Sequence, residues 1–143
     1  MRLQLALNVS DLEKATEFYS RLFGMAPTRR RPGYANFAID EPSLKLVLFE
    51  ADRSAAGEGG CCNGMGGTIN HLGVEVETAD EVLDAERRIS ESGLATSGVD
   101  DTRCCFAEKT ETWITDPDGI AWEWYVRTGD SEVLENVVLA TRR

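Results

Sequence analysis

A chain of 143 residues, 42% of them hydrophobic, has the size of one ordinary domain with a real core. Its net charge of −10 argues against nucleic acid and anionic membranes as partners, since both ask for a basic face. No apolar run approaches the roughly 18 residues that cross a bilayer, and residues 1–7 read as a strand rather than a signal peptide, so a soluble, cytoplasmic protein is expected.

Leu5, Leu7 and Val9 alternate with small or polar residues over Gln4 to Val9, the pattern of a half-buried strand. Ser10-Asp11-Leu12-Glu13 then reads as a capping box, with Ser10 as the cap. Leu12, Ala15, Phe18, Tyr19, Leu22 and Phe23 recur at helical spacing, and Gly24 stops the helix. Strand-like runs follow near 25–30, 34–39 and 44–50, broken at Pro32-Gly33 and Glu41-Pro42-Ser43. The basic run Arg29-Arg30-Arg31 reads as solvated surface. Glycine crowds residues 51–67, which flank Cys61-Cys62-Asn63 and read as a flexible linker.

The same order of elements then begins again. His71 to Val76 alternates as a strand, and Thr78-Ala79-Asp80-Glu81 is a second capping box. Val82, Ala85, Ile89 and Ser92 continue an amphipathic helix that Gly93 ends. Strands are expected near 95–99, 103–108, 112–115 and 120–126, with a turn at Pro117-Asp118-Gly119. Gln4 aligns with His71, Gly24 with Gly93, and Glu41-Pro42 with Asp116-Pro117, so the chain is an internal repeat whose offset widens along its length. The expected fold is α+β, two βαβββ modules in one domain over 1–127. Module one covers about 2–50, the linker about 51–67 and module two about 68–127. Residues 128–143 form a tail, where Val133, Leu134, Val137 and Val138 suggest a short terminal helix.

Two copies packed about a pseudo-twofold axis place equivalent strand positions opposite each other. Gln4 and His71 open their strands at such positions, and His71 is the one histidine of the sequence. Glu123 lies in the otherwise apolar Ile120-Ala121-Trp122-Glu123-Trp124-Tyr125-Val126. A carboxylate there is costly to bury unless it is paired or metal-bound. The other arrangement, Glu123 outward and both tryptophans inward, satisfies the alternation but suits Tyr125 and Val126 poorly. The hairpin offset makes Leu48 its counterpart, so the fourth symmetric position is apolar. A histidine, an amide and a carboxylate leave about three positions open on an octahedral metal, as in non-haem Fe(II) oxygenases, where two histidines and a carboxylate are usual. Zn²⁺ more often takes better nitrogen or sulfur ligands.

Four cysteines form two adjacent pairs, Cys61-Cys62 and Cys104-Cys105, which do not resemble a secreted disulfide framework. A vicinal dithiol can chelate trivalent arsenic or Cd²⁺. Neighbouring strand residues point to opposite faces, so chelation at 104–105 requires a turn, bulge or loop. The competing reading is one core cysteine and one exposed cysteine. Cys61-Cys62 is either a capture arm or an incidental pair.

The chain resembles the vicinal oxygen chelate superfamily, home of glyoxalases and extradiol dioxygenases. The residues that carry the likeness are Asp11-Leu12-Glu13 through Phe18-Tyr19, Leu22-Phe23-Gly24, His71-Leu72-Gly73-Val74, and Asp116-Pro117-Asp118-Gly119 before Glu123. Arg31 to Ile39, Leu44 to Leu48, Asn70 to Val76 and Cys104-Cys105 are similar to the organoarsenical C–As lyases and the actinobacterial cadmium-induced proteins. That family has a glutamine where most relatives carry the first metal histidine, and Gln4 fits. The resemblance implies an Fe(II)-dependent dioxygenase using O₂ to cleave the carbon–arsenic bond of trivalent organoarsenicals, with Gln4, His71 and Glu123 on the metal and the Cys104 and Cys105 thiolates on arsenic. Cys61-Cys62 lies outside the pattern. Relatives pair modules within or between chains, so a domain-swapped homodimer is the other arrangement the resemblance allows. The rival functions are a thiol-rich protein that sequesters cadmium or arsenic without catalysis and, ranked lowest, a thiol transferase of the fosfomycin-resistance kind.

Overall fold

The structure, a computed structural model, describes residues 1–50 and 68–142. The linker expected over 51–67, with Cys61 and Cys62, lies outside the described residues. Module one runs β1 (Arg2–Val9), α1 (Leu12–Phe23), β2 (Arg29–Arg31), β3 (Tyr34–Ile39) and β4 (Leu44–Glu50). Module two repeats it as β5 (Ile69–Glu75), α2 (Ala79–Glu91), β6 (Val99–Cys104), β7 (Ala107–Thr115) and β8 (Ala121–Asp130), and β9 (Val137–Arg142) follows. The fold is α+β, as the sequence implies. Among the described residues no helix is long and apolar enough to cross a membrane.

All nine strands form one sheet in the order β2-β3-β4-β1-β5-β8-β7-β6-β9. The pseudo-twofold axis passes between β1 and β5. Their antiparallel register pairs Gln4 with Gly73 and Ala6 with His71. Exchanging each residue for its twin (Gln4 for His71, Ala6 for Gly73) turns one pair into the other, so the alignment of Gln4 with His71 is the symmetry of the sheet. The sheet also curls. Four strands separate β3 from β7 in the order, yet the ring of Tyr34 on β3 sits 5.1 Å from that of Phe106, just before β7.

Each face follows from strand alternation. On the helix side, Leu12, Ala35, Phe37, Ile39, Leu46 and Leu48 form the core under α1. Val76, Val82, Val99 and Val126 form its equivalent under α2, with Trp124 packed against it. On the other face Tyr34, Val47, Phe49, Phe106 and Trp113 gather with both cysteines of the 104–105 pair.

Four local expectations change. The cap of α1 is Asp11, whose carboxylate accepts from the Lys14 amide at 3.0 Å, while Glu13 turns to Arg30. Thr78 and Glu81 do form the reciprocal capping box expected at α2. Residues 95–98 are irregular, with Gly98 at φ 78°, and the run expected at 103–108 is split by a turn at Cys105-Phe106. The expected terminal helix is a strand instead. Val137 and Val138 satisfy a helical spacing, but the open edge of β6 offers a ladder from Val99 to Arg103, and β-branched residues take it.

Candidate functional site

Three adjacent inner strands, β1, β5 and β8, build the site. Gly73 on β5 is flanked by Gln4 on β1 and Glu123 on β8, in register with both. His71 lies two residues along β5, on the same face. Gln4, His71 and Glu123 therefore converge, all of them buried, with Glu123 fully so. The glycine permits this: a Cβ at Gly73 would sit 3.0 Å from the Glu123 carbonyl oxygen and 3.5 Å from the Cβ of Gln4. The register also corrects the counterpart of Glu123. Gly73 pairs with Glu123, and its twin Ala6 pairs with Val47, so the counterpart is Val47 and not Leu48. A shift of one residue moves a side chain to the other face. Leu48 accordingly packs under α1, while Val47 faces the site.

Asn70 sets the state of the imidazole. Its Nδ2 donates to Asn8 Oδ1 at 3.0 Å, which leaves its Oδ1 to accept from His71 Nδ1 at 2.7 Å. A neutral His71 with its proton on Nδ1 presents the Nε2 lone pair to the site. That nitrogen lies 3.0 Å from Gln4 Nε2 and 3.2 Å from Glu123 Oε2. Among the described residues Gln4 Oε1 and Glu123 Oε2 are buried without a hydrogen-bond donor. Orphaned acceptors at this depth are costly, and a cation accepting lone pairs from all three groups would remove the cost. The donor set fits a metal with open positions. Among the described residues no three histidine, cysteine, aspartate or glutamate side chains cluster as ligands, so a set here is complete only with the Gln4 amide.

Lys109 and Glu111 on β7 are the functional residues that the sequence reading missed. Lys109 Nζ lies 2.7 Å from Glu123 Oε1 and 4.0 Å from Glu111 Oε2, all of them buried. Burial pushes the Glu123 carboxyl up, but the ammonium of Lys109 and the contact with His71 outweigh it and hold Glu123 below the usual carboxylate range. For Glu111 the same ammonium, farther away, is outweighed. Burial and then the charge of Glu123 push it up to about 8, so at neutral pH it is largely protonated. Alternating charged residues in Ala107-Glu108-Lys109-Thr110-Glu111 were the available signal, and they read equally well as an exposed strand.

The sulfurs of Cys104 and Cys105 reach the same chamber by way of the turn. Cys105 and Phe106 adopt φ 55° and 61°, left-handed values that non-glycine residues avoid, and they link β6 to β7 as a two-residue hairpin loop. Backbone bonds from Cys105 and Phe106 to the carbonyls of Leu134 and Val133 fasten the turn. This geometry meets the requirement that adjacent side chains leave strand alternation. The sulfurs of Cys104 and Cys105 are 3.0 Å apart and buried, which rules out the reading of one core and one exposed cysteine. Cys105, Gln4, His71, Tyr34 and Lys109 line one inner cavity of about 20 Å³, room for about one water molecule.

A model of the glyoxalase/bleomycin resistance protein/dioxygenase superfamily matches residues 3–124. The chain belongs to that superfamily. A trivalent organoarsenical cleaving enzyme of Thermomonospora curvata is 52% identical over 93% of this chain and 82% of its own length. The cadmium-induced protein CadI of Mycobacterium tuberculosis is 50% identical over 92% of this chain and 79% of its own. Among solved structures, an extradiol ring-cleaving dioxygenase from B. fuscum superposes with a TM-score of 0.62 at 20% identity, over 92% of this chain and 34% of that one, a likeness of fold. The superfamily frame of paired βαβββ modules is the one described above.

Proposed function

We propose that the chain is a non-haem Fe(II)-dependent dioxygenase that cleaves the carbon–arsenic bond of trivalent organoarsenicals (methylarsenite, reduced aromatic arsenicals) and releases arsenite. The observation that carries this reading is the Cys104-Cys105 turn, which puts adjacent sulfurs beside the chamber of Gln4 and His71. A relative named for organoarsenical cleavage, at 52% identity, supports the same substrate class.

In this reading the Gln4 amide oxygen, His71 Nε2 and the Glu123 carboxylate hold the metal. Iron, when bound, supplies activation of O₂ next to the carbon–arsenic bond. The remaining work belongs to the chain. Cys104 and Cys105, in their reduced thiolate form, hold arsenic from two sides, and the strained turn keeps them pre-arranged. Tyr34, Phe49 and Phe106 offer the organic group an apolar wall. Asn70 fixes the His71 tautomer, and Lys109 balances the carboxylate charge that would otherwise be buried alone. A reducing cytoplasm, where thiols persist, suits this role.

The test is an anaerobic sample given Fe(II) and methylarsenite and then exposed to O₂, with arsenic species separated by chromatography. Inorganic arsenite should appear only when iron and O₂ are both present. Stoichiometric retention of intact methylarsenite with no arsenite would replace the enzyme by a sequestering protein, the reading that the cadmium-induced relatives favour.

A further inference from the structure

Two lysines reach the inner chamber, and they are committed differently. Lys45 on β4 and Lys109 on β7 both line it, and both ammonium groups lie over the ring of Tyr125, at 5.3 and 4.9 Å from its centroid. Lys45 has an acid outside the candidate ligand set, with its Nζ 3.1 Å from Glu75 Oε2. Lys109 instead shares a candidate ligand. Its Nζ donates to Glu123 Oε1 at 2.7 Å, while Glu111 Oε2, at 4.0 Å, is beyond hydrogen-bond reach. The Lys109 side chain is 5% exposed, so this ammonium cannot trade its partner for bulk water.

The two oxygens of Glu123 are therefore not equivalent. Oε1 is taken by Lys109. Oε2 lies 3.2 Å from His71 Nε2, and among the described residues no donor reaches it. To grip a metal with both oxygens, Glu123 would have to pull Oε1 away and leave an ammonium buried without its partner, a costly state. Strand register opposes that movement. Glu123 is fixed between Gly73 on β5 and Trp113 on β7, and Lys109 is fixed opposite Arg127 on β8. Charge acts in the same direction. An ammonium bonded to one carboxylate oxygen stands close to any cation held by the other, and like charges repel more strongly in a buried site than in water.

We propose that Lys109 is a positioning residue for the metal site: it reserves Oε1 of Glu123, so that a divalent ion is held through Oε2 alone and against the charge of the ammonium. The inference rests on the metal reading of Gln4, His71 and Glu123 above and extends it to a residue that is not a ligand. Two consequences follow from the one contact. The position that a second carboxylate oxygen would fill stays open, and the affinity of the site is lower than its ligands alone would give.

Both consequences can be read without turnover, with Mn(II) as the probe on the full chain. Water-proton relaxation should count about three exchangeable waters on the bound ion, the positions of an octahedral metal that the amide oxygen, the imidazole and one carboxylate oxygen leave open. A count of about two on the unaltered protein means that Glu123 holds the ion through both oxygens, and overturns the inference whatever any variant does. Lys109→Met keeps the apolar stem and removes the charge. Paramagnetic resonance of the free ion gives the affinity, and the variant, shown to be folded by circular dichroism, should bind Mn(II) about tenfold tighter. A residue that served packing alone would leave the affinity unchanged or, by loosening the ligands, weaken it, and either result overturns the proposal. If Lys109→Met fails to fold, the water count on the unaltered protein decides. Failure of the metal reading looks different, with no Mn(II) held by the unaltered protein, and it takes this inference with it.

Discussion

Where the first module has Gln4, Ala6 and Val47 around the axis, the second has His71, Gly73 and Glu123. The turns differ in the same sense. Arg31-Pro32-Gly33-Tyr34 joins β2 to β3, with Gly33 at φ 72°, a value that costs glycine little. At the matching turn of the second module, Cys104-Cys105-Phe106-Ala107, non-glycine residues occupy both left-handed positions. Strain of about 1–3 kcal/mol per residue persists only where the surroundings enforce it. A duplicated frame thus becomes a one-sided site. The first module keeps the relaxed version of each position and lends cations and an amide, while the second carries the imidazole, the carboxylate and the paired cysteine sulfurs.

Making the second module resemble the first should break the site in graded steps. The largest effect is expected for Glu123→Val, which installs the residue of its counterpart. On the proposed reading iron content falls to background and arsenite release stops. Lys109 is left in the core with only Glu111 nearby, at a cost of about 3–5 kcal/mol. Denaturant unfolding and anaerobic metal analysis report the two consequences separately. Iron retained at full occupancy would remove Glu123 from the ligand set. Cys105→Gly comes next, which relaxes the turn although the equivalent residue of module one is Pro32. Relief of a left-handed residue and loss of a small buried side chain roughly cancel, so stability should stay within about 1 kcal/mol. Organoarsenical affinity should fall more than about a hundredfold with iron content unchanged, since chelation by two sulfurs becomes binding by one. Affinity unchanged by calorimetry would take arsenic away from the turn.

Much of this arrangement was legible in the residues. Alternation and capping located both modules, and equivalence of their first strands brought Gln4 to His71. Glu123 stood out because a carboxylate between two tryptophans is costly to bury alone. Other features depend on pairing across strands, which no local pattern reports. Lys109 and Glu111 look like an exposed strand until β8 is laid beside β7. Counting along the repeat put the counterpart of Glu123 at Leu48, because a hairpin offset is blind to one-residue shifts that only the ladder resolves. The terminal strand failed for a related reason, as its partner, the edge of β6, is supplied by the tertiary fold. The left-handed turn at Cys105-Phe106 carried no glycine, asparagine or aspartate to announce it.

A smaller effect is expected at Gly73, whose twin is Ala6. Gly73→Ala sets a Cβ against the Glu123 carbonyl oxygen at 3.0 Å, so β8 must move by a few tenths of an ångström. Overpacking of this kind costs about 1–3 kcal/mol, and on the proposed reading it spreads the ligands and lowers iron affinity about tenfold. Iron titration of the folded variant measures it, and unchanged affinity would mean that the glycine serves packing alone.

The smallest effect belongs to β9, which has no equivalent among the described residues of module one. Asp101 on β6 accepts from the Arg142 guanidinium at 2.9 Å and from the Thr110 hydroxyl at 2.6 Å. Partial burial pushes its carboxyl up, but these two donors outweigh it and hold the group below the usual aspartate range. A carboxyl depressed in the folded state contributes fully above its unfolded pKa of about 3.9, and the contribution is lost as pH falls from there through the lower folded value. Solvent screening limits the gain to about 1 kcal/mol or less. Asp101→Asn should therefore destabilise the protein slightly at pH 7 and not at all at pH 2, with faster amide exchange confined to Val137–Arg142 and its β6 partners. An exchange increase that reached β5 or β8 would show that this edge is coupled to the site. The register offers no direct contact for such coupling, because β7 stands between β6 and the strands β1, β5 and β8 that carry Gln4, His71 and Glu123.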